Sequence, residues 1–269
     1  MKNKTFPLIL AAIATLSGCI PPLYHPSTIN APMFSKKGEV NVSGAYGKAG
    51  TDVQAAYSVS DNSGVMLNCS FGSKIQTDID SGSALTSNLV EESNSSLGEY
   101  KHGYHFNFVE GGYGFYLKPK KRSDLRAEVF GLIGAGYAES FNELINYRAY
   151  GNYMRYSIQG NLGYVSKVTE GALSLRIGYL DFTGLNLNES ANVSSNSGEA
   201  GSNQRNITNA KGGTSAFFID PAVTFRVGYK GVKLFLQSGM SIPLSGPVNF
   251  GWDKSWGSIG LQFRISTAK

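Results

Sequence analysis

The sequence predicts an all-β fold: a single antiparallel up-and-down β-barrel of about ten strands. Three observations predict it. Apolar and polar residues alternate through segment after segment, and helical periodicity is absent over any long window. The composition favours strands and tight turns, with 33 Gly, 15 Tyr and 15 Phe. The connections themselves alternate between short and long.

The chain opens MKNKTFPLILAAIATLSGC, in which Lys2 and Lys4 precede an apolar run from Phe6 to Leu16 and then small residues ending in cysteine. This pattern is that of a secretory signal over 1–18, too short for a spanning helix. Leu16-Ser17-Gly18-Cys19 resembles the lipobox of bacterial lipoproteins, which implies that Cys19 is acylated and becomes the mature N-terminus. Removing residues 1–18 lowers the formal charge from +5 to +3, a balance that argues against a nucleic-acid partner. With Cys19 so assigned, Cys69 is the one remaining cysteine and no intrachain disulfide is expected. Residues 19–37 read as the lipidated N-terminus and a tether, because Pro21, Pro22, Pro26 and Pro32 disfavour regular structure. The barrel domain then occupies 38–269, since no further linker divides the chain.

Ten segments alternate, near 38–47, 51–59, 64–73, 102–118, 124–137, 152–166, 171–182, 216–229, 231–242 and 255–266. Val53, Ala55, Tyr57 and Val59 share one face of the second, and Val65, Leu67, Cys69 and Phe71 one face of the third. In the fourth the apolar phase changes between Phe108 and Gly111, which predicts a β-bulge at Val109 and Glu110. Short turns fall at 60–63, 119–123, 167–170 and 230, while the other set, 74–101, 138–151, 183–215 and 243–254, runs longer, its first member around Lys48–Gly50 alone being brief. Short turns at one end and long loops at the other are the topology of an outer-membrane barrel, with both termini on the periplasmic, short-turn side. An anchor on Cys19 then sits in the inner leaflet of the outer membrane.

The face opposite the apolar phase carries Arg126, Glu128, Arg155, Arg176, Asp220, Arg226, Lys233 and Arg264, with Asp52, Gln54, Asn68, Asn107, Glu110 and Gln159. A solvated face would be rich in Lys and Glu. Arg, Gln, Ser and Gly instead suit a confined network inside a narrow barrel, largely filled by side chains, so these charges are predicted to close the lumen. Tyr46, Tyr57, Tyr104, Tyr137, Tyr164, Tyr179 and Tyr229 on the other phase suit aromatic girdles at the headgroups. The competing reading is a soluble barrel on the same anchor, with the apolar face inward.

The stretch from Cys19 through Pro32-Met33-Phe34-Ser35-Lys36-Lys37-Gly38-Glu39, with Gln54-Ala55-Ala56-Tyr57-Ser58-Val59 and Val65-Met66-Leu67-Asn68, resembles uncharacterised β-barrel lipoproteins of Gram-negative bacteria. That resemblance implies an outer-membrane place and no particular activity.

Chemistry-bearing motifs are sparse. His102 and His105 are too few to hold a metal, with only His25 elsewhere. Asp78-Ile79-Asp80-Ser81-Gly82 opens like a calcium loop, but Leu89 stands where a bidentate glutamate is required. Gly134-Ala135-Gly136 lacks the third glycine and the helix of a nucleotide fingerprint. The strand number is similar to that of the omptin proteases, yet no Asp-x-His occurs, and only His105 with Asp52 or Asp220 offers a dyad. The expected function is therefore structural or adhesive, with no cofactor and no catalysis. The bilayer is one partner, and an extracellular one is open through loops 74–101 and 183–215. A narrow conduit or binder for a small hydrophobic molecule or lipid is the alternative, and a surface hydrolase at His105 the third.

Overall fold

The computed structural model describes residues 21–79, 99–119, 124–189, 215–229, 231–244, 248 and 250–266. Cys19 and the signal segment lie outside them. The strands are β1 (Glu39–Gly47), β2 (Thr51–Ser58), β3 (Ser63–Ile79), β4 (Glu99–Leu117), β5 (Leu125–Asn142), β6 (Tyr147–Val165), β7 (Thr169–Phe182), β8 (Asn186–Glu189), β9 (Ser215–Tyr229), β10 (Val232–Met240), β11 (Ile242–Pro243) and β12 (Ser255–Ser266). Ten of them form the wall: β1 to β7 pair in order, β7 pairs β9, β9 pairs β10, β10 pairs β12, and β12 returns to β1, all antiparallel. The barrel is closed, and no helix occurs among the described residues. The short strands β8 and β11 extend the wall at the long-loop end by pairing β6 and β9.

The alternation sorts residues as a period-2 strand must, but with the apolar side outside. Leu173 is 60% exposed and Ile158 64% exposed, whereas Arg176 is fully buried. On β6 the outward apolar run goes from Met154 to Tyr164; at about 3.4 Å per residue and a tilt near 40° it covers about 26 Å, the height of a lipid-facing band. Above it the outward residues turn polar, with Asn107 and His105 on β4 and a Glu139–Arg148 ion pair of 2.7 Å between β5 and β6.

Four expectations are corrected. No bulge interrupts β4: Val109, Glu110 and Gly111 face Cys69, Asn68 and Leu67 in unbroken register. The phase never changes, so Tyr104, Phe106 and Phe108 point inward and Asn107 outward. They do so because the lumen at that height is aromatic rather than polar. The connection expected over 138–151 shrinks to four residues, 143–146, since β5 and β6 stay paired up to Asn142 and Tyr147. Likewise β3 and β4 remain paired out to Ile79 and Glu99, so only 80–98 of the expected 74–101 loop falls outside the described residues.

The largest correction concerns the tether. Residues 23–34 are buried inside the barrel. This segment runs the length of the lumen, reverses at Gly38 (φ 77°), where glycine adopts the left-handed backbone without strain, and becomes β1. Prolines did rule out regular structure here, but not burial. At Gly163 a Cβ would lie 2.7 Å from the Met33 sulfur, so the absent side chain is the room the segment occupies.

Reversing the polarity of the outer face gives a direct check. Leu175→Arg, near the middle of the apolar band, is expected to cost about 2–4 kcal/mol, and Val168→Arg at the short-turn rim less than about 1 kcal/mol, in urea unfolding from phospholipid vesicles.

Candidate functional site

The site is the occupied lumen. A chain segment inside a closed barrel has no neighbouring strand along most of its length, so its backbone donors and acceptors need partners from the wall and its connections. At the long-loop mouth the Pro21 carbonyl accepts from Ser140 Oγ at 2.6 Å. The Leu23 and Tyr24 N–H groups both donate to the Gly251 carbonyl, and Tyr24 bridges in parallel to Trp252. Deeper in, the Thr28 N–H donates to Asp52 while its carbonyl accepts from Gln54 Nε2 at 2.7 Å. Gln237 serves both groups of Ile29: Oε1 accepts from its N–H at 2.7 Å and Nε2 donates to its carbonyl at 2.9 Å. One side-chain amide thereby replaces a strand. The carbonyls of Asn30, Ala31 and Pro32 accept from Gln159, Arg226 and Arg264. At the other mouth the Phe34 N–H donates to Glu128 and the Ser35 N–H to Glu39.

Six of the eight lumen residues singled out from the sequence fall into two groups around this segment. In the upper group Arg155 pairs with Glu110 at 2.8 Å and Arg176 with Asp220 at 3.0 Å. Both guanidiniums also donate to the Ser27 hydroxyl, Arg176 adds the Ser27 carbonyl, and Arg155 reaches the Tyr24 hydroxyl at 3.0 Å. In the lower group Glu170 accepts from Lys233 at 2.7 Å, Arg264 at 2.8 Å and Arg226 at 3.4 Å. Glu128 stands apart, held by Phe34 N–H and Asn161, and Arg126 donates to Ser35 Oγ at 2.8 Å. Sequence reasoning placed Glu170 in a turn and missed it as the hub of three cations. The signal was there: the inward phase Arg176, Ser174, Ala172 continues without a break to position 170.

Apolar packing caps both ends of this polar middle. Leu23 and Tyr24 pack with Phe108, Tyr153, Phe182, Phe218 and Phe250, and the Tyr24 and Phe218 rings lie 5.4 Å apart. At the short-turn end Phe34 packs on Tyr116 at 5.4 Å, with Met66, Phe130 and Leu132. Between Thr28, Asp52, Ser70, Phe106 and Ser258 a space of about 20 Å³ remains, room for a single water.

One pairing was not foreseen. His25 Nδ1 lies 2.6 Å from Asp253 Oδ2, and Lys48 Nζ 2.7 Å from Asp253 Oδ1. Burial alone would push the Asp253 carboxyl up, but the hydrogen bonds and charges of His25 and Lys48 outweigh it and hold it below its ordinary value. The His25 ring rests against Tyr104 at 4.1 Å and Phe106 at 4.9 Å, and its Nε2 meets no hydrogen-bond partner among the described residues. The pair fastens the segment to the mouth, joining residue 25 to the connection before β12. The dyad considered for His105 does not form: His105 faces outward, while Asp52 and Asp220 are buried inside. His102 lies 3.6 Å from Asp78 at the upper rim.

No protein-family model matches the chain, and no curated protein matches it in sequence. Among solved structures it is similar to CarO of Acinetobacter baumannii, with 10% identity over 84% of this chain and 97% of that one, at a TM-score of 0.28. OmpT, an outer membrane protein of Vibrio cholerae, gives 10% identity over 87% and 100%, at 0.22. CdiB from Acinetobacter baumannii gives 8% over 84% and 60%, at 0.22. Superpositions this loose leave the assignment to the chain's own geometry.

Glu170→Gln strands three buried cations and is expected to cost about 3–5 kcal/mol in urea unfolding, while Glu139→Gln, which breaks the Arg148 pair at the outer surface, costs less than about 1 kcal/mol.

Proposed function

We propose that this chain is an outer-membrane β-barrel lipoprotein sealed by its own N-terminal segment, with a structural or surface-interaction role and no catalysis. One observation carries the reading: the barrel is inside out for water. Its exposed belt of Leu, Ile, Val, Phe and Tyr is far larger than the apolar patches that soluble monomers tolerate. Its buried interior holds Arg155, Arg176, Arg226, Glu110, Glu128 and Glu170. In water both faces are unfavourable; in lipid both are satisfied, because the strands close on themselves and the charges find partners within.

The lumen argues against transport. Phe34 and Tyr116 fill one end, Tyr24 and its aromatic neighbours the other, and Arg155 and Arg176 clamp Ser27 between them. A solute would have to displace the whole segment. The lipid on Cys19 rests on the lipobox, and a surface role rests on the connections over 80–98 and 190–214, both outside the described residues.

Membranes from cells making a Cys19→Ala form behind a non-lipoprotein signal are expected to retain the protein through an alkaline carbonate wash, and the purified protein to add no single-channel steps to a planar bilayer. Release into the supernatant would mean a soluble barrel. Steady conductance would restore the conduit.

A further inference from the structure

The direction of the segment decides where the mature N-terminus emerges. Its contacts order themselves along the barrel axis. Pro21 meets Ser140, Leu23 and Tyr24 meet Gly251, and His25 meets Asp253, all at the mouth formed by 48–50, 143–146 and 250–254. Ser27 sits between Arg155 and Arg176, Ile29 on Gln237, and Pro32 on Arg264. Phe34 and Ser35 then reach Glu128, Arg126 and Glu39 at the short-turn mouth, where β1 begins.

The level of the first contact matters as much as its direction. Ser140 pairs across the wall with Tyr104 and Ala149. The outward neighbours there are Glu139 and Arg148, an ion pair that stands clear of the apolar belt ending near Met154. Pro21 is therefore already beyond the lipid-facing band. Two trans residues span at most about 7 Å, whereas the opposite mouth lies a full band height of about 25 Å away. Position 19 has no path back to the short-turn side.

We infer that the mature N-terminus, with any acyl chains on Cys19, is delivered to the long-loop face, and that those chains enter the outer leaflet. This rests on the outer-membrane reading, in which long loops face the exterior. It reverses the periplasmic placement expected from an even strand count, because that count tracks the wall and not the segment threaded inside it. The lipid would anchor the chain from the cell surface, and the segment must be in place when the barrel closes around it.

The test uses the full chain in its native cells. One form carries a short epitope between Ile20 and Pro21, a second carries it within 80–98, and heat-modifiable migration confirms that each has folded. Antibody added to intact cells is expected to label both, with no further gain when the outer membrane is permeabilised. Labelling of the 80–98 form in intact cells, with the N-terminal form labelled only after permeabilisation, would overturn the threading direction while leaving the barrel assignment intact. If neither form is labelled until permeabilisation, the orientation taken from loop length is wrong and the leaflet assignment falls with it. An Ile20→Cys, Cys69→Ser form reads the same point without an inserted epitope: modification of intact cells by an impermeant maleimide supports the inference, and modification only after permeabilisation overturns it.

Discussion

A peptide backbone inside a sealed barrel must find its hydrogen bonds in the wall and its connections, and the composition of the lumen follows from that requirement. A buried amide left without a partner costs about 1–3 kcal/mol, so an extended segment of this length needs many of its groups served from the wall. The wall serves them with Gln54, Gln159, Gln237, Asn41, Asp52, Glu128, Arg226 and Arg264. The prolines reduce the demand, since Pro22, Pro26 and Pro32 bring no N–H into the lumen. Arginine suits the remaining work because one guanidinium can satisfy a carboxylate and a carbonyl together, as Arg176 does with Asp220 and Ser27 and Arg226 with Glu170 and Ala31. Around Glu170, where three cations share one carboxylate, the Ala31 and Pro32 carbonyls take up further donors of Arg226 and Arg264.

The same interaction sets which parts of the sequence were legible. The wall announced itself because period-2 alternation is a property of each strand alone, and the inward arginines were readable as confined because their face favours Arg, Gln, Ser and Gly over lysine and glutamate. The segment had no such signature. It pairs with side chains rather than with a strand, so it has no alternation, and its prolines are shared with linkers. The upper half of β4 misled for a related reason: Phe106 and Phe108 look like lipid-facing residues, yet they turn inward to pack around Leu23 and Tyr24. The ends of β3 to β6 were read as loops because outward residues above the lipid band no longer alternate in polarity, although the ladders continue. His25 and Asp253, 228 residues apart, share no local signal at all.

Inner and outer faces thus depend on one another. The apolar outer surface requires a closed ladder, closure creates an interior without bulk water, and the N-terminal segment fills that interior. The pairs Arg155–Glu110 and Arg176–Asp220 would be costly to bury alone, but Ser27 between them ties their geometry to the position of the segment. Contacts of this kind join residues more than a hundred positions apart, so the segment is an integral part of the folded barrel rather than an appendage.

The most direct test of that claim is proximity between segment and wall in the membrane. Asn30 Nδ2 lies 2.8 Å from Asn68 Oδ1, deep in the lumen, while Gln54 and Asn68 face each other across the β2–β3 ladder. With Cys69 replaced by Ser, an Asn30→Cys, Asn68→Cys form treated with a short thiol-specific cross-linker should yield the linked peptide by mass spectrometry as readily as a Gln54→Cys, Asn68→Cys form does. Linkage in the ladder pair with none between positions 30 and 68 would mean that the N-terminal segment lies outside the barrel, and the lumen would then need another occupant.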